Sequence, residues 1–453
     1  MHRLGLSDGL LSLINCSNRQ ATITVQTPIG PSTSFTKRNI AKQGTVLAPT
    51  LCGSSVGEVC NENTGGGMAV GTAVIGPLAF VDDITSMNTN IKDAVNSNKQ
   101  ICFFSNKKKQ PLNESKCYLL PVNTKPVDGI PIQYVNGRRV TVVSEAKCLG
   151  DIFNSKGDMN DLVCERVRKG TICVVNALAL CPNQSVGKFA INSLLTLYKA
   201  VFLRTVLDNS ETWCYMSEKN MEKLRSIQMK YIKRMLHCPR GTSNAFLLLE
   251  LGLLPVEEEI ALRHFTFLHH ILCLPDDDMV KIVFEQQALY VCEKNWRNNI
   301  TSLLLKYELP QDISAISKMS KNEWKSKVIK AVNKYALKAL NLKCFSQSKT
   351  AYLCPYKDLV MQSYIDTLHP NDARMWLQLR CGIYDLKSNR PFMYKDLVCR
   401  GCGGGVEDFE HVANHCGGIH RSRDSINKCD LDELLIKEGL ARFRFFHSLI
   451  EEE

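Results

Sequence analysis

The feature that most constrains the fold is a change of pattern near residue 158. Before it, short alternating or β-branched runs are punctuated by glycine and proline. After it, apolar residues recur at spacings of three and four. Residues 21–25, Ala-Thr-Ile-Thr-Val, alternate and predict a strand, and Pro28-Ile-Gly-Pro31 predicts a turn. Strand material is expected from 68 to 81, after the glycines at 65–67, with further short strands at 117–121, 132–134 and 139–143. Helices are expected at 6–16, at about 48–59 and at 86–106, the last followed by an exposed basic loop, Lys107-Lys-Lys109. Beyond 158, Met221, Leu224, Ile227, Tyr231 and Met235 share one helix face. Lys223, Arg225, Lys230, Lys233 and Arg234 fall largely on the others, either as a solvated surface or as a basic one. Pro275–Asp278 reads as a loop, 279–345 as helical, the stretch to about 390 as mixed, and 431–450 as a last amphipathic helix. There is no internal repeat and no long low-complexity linker. The expected class is therefore α+β.

Composition narrows the function. A chain of 453 residues has room for about three domains. With 44% hydrophobic and 22% charged residues, global disorder is excluded. A formal charge of +11 favours a polyanion, nucleic acid above all, as partner. The 20 cysteines are scattered rather than concentrated in a short secreted framework. The first residues, Met-His-Arg-Leu-Gly, do not open a secretory signal. No uninterrupted apolar run reaches the roughly 18–20 residues of a membrane span; Phe246–Leu249 is cut by Glu250. A reducing compartment, nucleus or cytoplasm, with most cysteines free and buried and no membrane partner, is the expectation.

Two acidic residues, Asp82 and Asp83, end the apolar run Pro77-Leu-Ala-Phe-Val-Asp-Asp-Ile84. Taken alone, such a pair is most often an acidic turn. A carboxylate pair at a strand end is also how a nucleotidyl transferase offers hard oxygen ligands to Mg²⁺. Two such ions, roughly 3.5–4 Å apart, hold the attacking and leaving oxygens of a phosphoryl displacement.

The neighbours of the pair decide between these readings. Upstream lies Asn39-Ile-Ala-Lys-Gln-Gly-Thr-Val-Leu-Ala-Pro49, and downstream Asn113-Glu-Ser-Lys-Cys117 and Ala146-Lys-Cys-Leu-Gly150. This order resembles the palm motifs of reverse transcriptases from non-LTR (LINE-type) retrotransposons: Gln-Gly…Pro, Phe-x-Asp-Asp, Asn-x-x-Lys and Tyr-Leu-Gly. Leu203…Glu211-Thr-Trp213, the helix around Gln228 and Glu250-Leu-Gly-Leu-Leu-Pro255 look like that family's thumb and connecting region. The resemblance covers nearly the whole chain.

It implies that Asp82 ligates Mg²⁺ and that Asp83 supports the site. It places Gln43 and Gly44 at the start of a helix beneath the nascent base pair, where a residue without Cβ admits close approach; without that context Gly44 is a tight loop before a helix. Lys116 corresponds to a basic residue behind the incoming nucleotide, able to neutralise pyrophosphate or act as a general acid. A surface lysine on a strand is the plainer reading. Leu149 and Gly150 correspond to the primer grip, with Cys148 standing where the family has tyrosine. Phe80 and Val81 are expected to pack in the core or hairpin. The family carries a further aspartate on an earlier strand, and no such motif occurs here; Asp8, in Leu6-Ser-Asp-Gly-Leu10, does not match. The resemblance is thus to the C-terminal part of such an enzyme. The expectation is a fragment of an RNA-directed DNA polymerase, with an impaired Mg²⁺ site and inactive alone, that works on an RNA template and a DNA primer. The alternative is a non-catalytic nucleic-acid-binding remnant.

A second cluster follows: Cys399, Cys402, His411 and Cys416, spaced C-x₂-C-x₈-H-x₄-C. Thiolates and imidazole at this spacing suit a closed tetrahedral Zn²⁺ site, and Gly403–Gly405 lets the chain turn after the first pair. Coincidence in a cysteine-rich chain is the competing reading, and His415 and His420 are alternative ligands. A similar knuckle lies near the C terminus of many LINE-type polyproteins. Arg400, Arg421 and Arg423 would then be phosphate contacts or plain surface arginines. The resulting organisation is a partial palm at 1–157, a helical thumb-like region at 158–275, a helical connector at 276–395, a zinc knuckle at 396–424 and a C-terminal helix at 425–453.

Overall fold

The structure, a computed structural model, describes residues 6–18, 21–37, 48–61, 66–123, 134–135, 137–179, 191–290, 294–351, 353, 355–419, 425–429 and 431–451. It divides into two compact units. One comprises Met1–Ala146, Asn154–Gly157 and Asp277–Tyr290, and the other Lys147–Phe153, Asp158–Asp276 and Val291–Glu453. Helices and small sheets together make the architecture α+β, as the pattern change predicts.

In the first unit the strands pair two by two. Antiparallel hairpins join Gln26–Thr27 to Gly30–Pro31, Met68–Val70 to Ala73–Ile75, and Leu78–Phe80 to Asp83–Thr85. Tyr118–Leu119 lies parallel to Thr141–Val142. Among the described residues every ladder has two strands. The 68–81 stretch is therefore not one strand. Gly71, at φ +60°, turns the chain back, so that Met68 pairs with Ile75 before the next hairpin begins. The helix Ile91–Lys107 starts later than its sequence suggests, because the Asn90 side chain accepts the Asp93 N–H and caps it there. Lys107 belongs to that helix and Lys108 pairs with Glu58, so the basic loop is only partly free.

The second unit is helical and has one continuous core. It runs from Leu162 and Val163 through Leu224, Phe246 and Trp376 to Phe443 and Phe446, so the 158–275, 276–395, 396–424 and 425–453 segments all contribute to it. The short helix Asn244–Glu250 is buried from Ala245 to Glu250. Burial on every side suits an apolar run, and Phe246, Leu247, Leu248 and Leu249 each contribute about 1.5–3 kcal/mol. Its last residue, Glu250, is a fully buried carboxylate that has to be paired. Arg380 reaches it at 2.9 and 3.2 Å, and Tyr356 and Tyr364 donate their hydroxyls to it. Gly252, at φ +59°, follows: a Cβ there would sit 2.5 Å from the backbone of Val360 and Met361, so only glycine lets the two segments meet. Gln228 bonds the Leu254 carbonyl, the Val256 N–H and the Tyr198 hydroxyl. The thumb-like motifs around Gln228 and Glu250-Leu-Gly-Leu-Leu-Pro255 thus serve as internal joints of this unit.

The expected basic face of the Glu218–Met235 helix is partly engaged, with Lys230 and Arg234 left exposed. Arg225 is held by Glu218, Glu222 and Glu257, Lys233 donates to the Arg240 carbonyl at 2.5 Å, and Lys223 reaches Asn220 and Cys164. The expected burial of most cysteines fails: among the described cysteines only Cys344, Cys381, Cys399 and Cys416 are buried.

Candidate functional site

The Asp82–Asp83 pair stands at the tip of the hairpin Leu78–Thr85. Phe80 pairs with Asp83, so Val81 and Asp82 form a two-residue turn. Val81 has φ +57°, a conformation that a β-branched residue adopts only under strain. Both aspartates are exposed. Phe80 and Val81 are exposed too, at 62% and 39%, and do not pack as expected. The helix Ala48–Asn61 lies against the Leu78–Phe80 strand, and the Cys52 thiol reaches the Val81 carbonyl at 3.5 Å. Burial, and then the charge of Asp82, raise the Cys52 thiol above its ordinary range. Gln43 and Gly44 lie outside the described residues; the helix that follows them is the one beside the aspartate hairpin. Lys116, also exposed, closes a single 3-10 turn, Glu114–Lys116, rather than sitting on a strand.

Leu149 and Gly150 form the turn between Glu145–Cys148 and Asp151–Asn154. Both have positive φ, +48° and +91°, the backbone of a tight two-residue hairpin turn. Asn209, itself left-handed, donates to the Leu149 carbonyl at 3.3 Å and to Asp151 at 3.2 Å. Asp151 in turn pairs with the buried Arg166, which also binds Asp208 at 3.0 Å. The Leu149–Gly150 turn is thus rigidly mounted, with the Leu149 side chain 55% exposed.

The Cys/His cluster is the best-built candidate. The ligand atoms of Cys399, Cys402, His411 and Cys416 all lie within 4.8 Å of one another. Cys399 Sγ and Cys416 Sγ are 3.8 Å apart, and Cys402 Sγ and His411 Nε2 are 3.2 Å apart. A tetrahedral ion with Zn–S of about 2.3 Å requires an S···S edge of about 3.8 Å, so the donors fit such an ion. Local backbone explains why they converge. Gly403 donates to the Cys399 carbonyl at 2.9 Å, the Cys399 N–H returns to the Gly405 carbonyl at 3.1 Å, and Val398 bridges Val406. Gly405, at φ +76°, has the His411 ring where a Cβ would be, 2.8 Å away, so glycine is required for the imidazole to turn inward.

The sulfurs differ in environment. Partial burial works to raise the Cys402 thiol, but the Gly404 N–H, His411 and the neighbouring thiols outweigh it and bring it down to about 6. Burial pushes Cys416 up to about 12 and raises Cys399 as well. One thiolate is ready, and a dication has to displace the protons of the others.

His415 points elsewhere, with Nε2 at 3.4 Å from Glu410, and is not a member of the group. His420, Arg421 and Arg423 lie outside the described residues. Arg400 is not a free phosphate contact. Its guanidinium grips the buried Glu407, which also accepts the N–H groups of Arg400 and Lys387, and its plane lies over Tyr394 at 5.2 Å. Burial opposes ionisation of Glu407, but Arg400 outweighs it and holds the carboxyl below its usual range. The terminal helix Glu433–Glu451 braces the knuckle from behind, through Arg442 on the Ala413 carbonyl and Phe446 against Gly401. Neither Glu407 nor Arg442 is a residue type the Cys/His spacing flags, and sequence reasoning missed both.

No family model and no curated protein matches the chain. Among the described residues, no helix is long and apolar enough to cross a membrane.

Proposed function

We propose that this chain handles an RNA template and a DNA primer as part of a non-LTR-type reverse transcriptase, with a Zn²⁺-closed knuckle and an aspartate hairpin that carries part of a two-ion site. The observation that carries the polymerase reading is the hairpin itself. A strained two-residue turn lifts Asp82 and Asp83 to an exposed tip, beside the helix that follows Gln43 and Gly44. Cys399, Cys402, His411 and Cys416 hold Zn²⁺ structurally, with no position left for substrate.

In the reaction of the whole enzyme, a primer 3′ hydroxyl attacks the α-phosphate of a nucleotide and pyrophosphate leaves. Bound Mg²⁺ supplies charge neutralisation at the attacking and leaving oxygens. Asp82 would be its ligand and Asp83 its support. Lys116 would meet the pyrophosphate charge, and the Leu149–Gly150 turn would hold the primer end. A third carboxylate has no counterpart among these residues, so the chain by itself polymerises poorly. The test is a labelled RNA-template/DNA-primer duplex with the purified chain and nucleotides. Salt-dependent binding with little extension is expected. Absence of binding refutes the reading, and robust extension abolished by Asp82→Asn refutes the impaired site.

The non-catalytic alternative draws on one observation: among the described residues, every ladder of the first unit has two strands and none forms a broad sheet. It predicts duplex binding that is indifferent to Mg²⁺ and to Asp82→Asn.

A further inference from the structure

The longest described helix, Lys321–Phe345, carries seven lysines and a single acid, Glu323. One stripe is buried: Trp324, Val328, Val332, Ala336, Leu340 and Cys344, spaced four apart and packed on Asn244–Glu250 and Val256–Leu272. Trp324 anchors it, donating Nε1–H to the Phe265 carbonyl at 2.9 Å. At 3.6 residues per turn, Lys327, Lys330, Lys334 and Lys338 fall within an arc of about 80° on the opposite side. All four are exposed. They span about 16 Å of helix, a length over which one strand of a duplex presents about five phosphates.

This arrangement works against the isolated helix. Lys330, Lys334 and Lys338 repel at i,i+4, and Lys327 adds an i,i+3 repulsion. Lys321 and Lys325 stand near the N-terminal end, where the helix dipole favours acids. Only Lys334 has an ion-pair partner, Glu308 at 2.9 Å; among the described residues none of the other lysines of this helix is paired. In Glu218–Met235, by comparison, Lys223, Arg225 and Lys233 are tied to neighbours, while Lys219, Lys230 and Arg234 are exposed. A solvated helix surface needs charge, but not one sign in a row. A polyanion turns the repulsion into attraction.

We propose that the Lys327–Lys330–Lys334–Lys338 face is a docking surface for the phosphodiester backbone of a nucleic-acid duplex, read without regard to sequence. The proposal rests on the nucleic-acid reading above and assigns it a surface that the motifs did not mark.

The test is an equilibrium titration of a fluorescein-labelled RNA–DNA hybrid duplex with the full chain across a range of salt. The variant is Lys327→Gln/Lys330→Gln/Lys338→Gln, which keeps helix propensity because glutamine and lysine are nearly equal. The control, Lys92→Gln/Lys99→Gln/Lys357→Gln, removes the same charge elsewhere. Each lost phosphate contact flattens the log–log salt slope by about 0.9, so the variant should flatten it by about 2.7 and the control by far less. Its thermal midpoint should be unchanged or higher, since repulsion is removed. If the unaltered chain binds no duplex, both the functional reading and this surface fall. If it binds and the variant keeps the wild-type slope, or the control flattens it equally, the surface alone falls. Loss of binding to phosphatidylserine vesicles with duplex binding intact assigns the face to membranes and also overturns the proposal.

Discussion

Replacing Cys416 by serine should weaken Zn²⁺ binding by the Cys/His cluster. Cys416 is 2% exposed and sits 3.8 Å from Cys399 Sγ, so its thiolate is one corner of a tetrahedron that no other described side chain can fill. A closed Zn²⁺ site contributes roughly 10–16 kcal/mol in small zinc peptides near neutral pH. One ligand of four is then about 3 kcal/mol, and affinity should fall by about two orders of magnitude. The assay is competition with a chromophoric chelator, repeated with Co²⁺, whose sulfur-to-metal absorption should drop by about a third as one of three thiolates is lost. His415→Ala is the matching control and should change nothing, because that ring faces Glu410. Affinity in Cys416→Ser within twofold of wild type, or a comparable loss in His415→Ala, would refute the assigned ligand set. Because all four ligands bind the ion in deprotonated form, affinity should also fall as pH is lowered.

Three further outcomes test the fold that carries this site. Arg380→Met strands the buried Glu250 carboxylate and should cost about 3–5 kcal/mol in urea unfolding followed by tryptophan fluorescence; a loss below about 1 kcal/mol would show that the two tyrosines suffice. Gly252→Ala should cost about 2 kcal/mol or more by the same measurement, because its Cβ overlaps the Val360–Met361 backbone. Burial raises the carboxyls of Glu258 and Glu259 above their ordinary range, against the pull of Lys306 and Arg263 respectively. A raised folded-state value contributes stability that is fully present below the unfolded value and lost as pH rises. Glu258→Gln/Glu259→Gln should therefore stabilise most above the carboxylate range and progressively less toward pH 4, and a pH-independent difference would contradict this.

Much of the fold was legible from residue pattern. The helix expected at 48–59 is Ala48–Asn61, the Pro275–Asp278 loop ends where Asp278 caps the helix Met279–Gln286, and the terminal helix is Glu433–Glu451. The misses share a physical cause, local chemistry that periodicity does not register. Gly71 divides the strand material expected at 68–81 into separate short strands, and Asn90 delays a helix by offering its side chain as a cap. Spacing alone marked the Cys/His ligands, because metal geometry fixes which residue types stand how far apart. Spacing could not show that Arg400 turns inward, since that depends on the buried Glu407 seven residues away. The lysine face of Lys321–Phe345 escaped notice because charge on a helix is informative only once its ion-pair partners, or their absence, are known. The aspartate pair was found as a motif, and its hairpin is present, but the packing expected of Phe80 and Val81 is not.

The most direct test of the proposed function is Fe²⁺-directed cleavage. With hydrogen peroxide added as oxidant and ascorbate to return Fe³⁺ to Fe²⁺, Fe²⁺ held by the Asp82–Asp83 hairpin in place of Mg²⁺ would reduce the peroxide to hydroxide and hydroxyl radical, which cuts whatever nucleic acid lies beside it. With an RNA-template/DNA-primer duplex bound to the chain, cuts should cluster at the primer 3′ end and disappear in Asp82→Asn/Asp83→Asn while duplex binding persists. Cuts scattered along the duplex, or a pattern unchanged by the double substitution, would contradict the account.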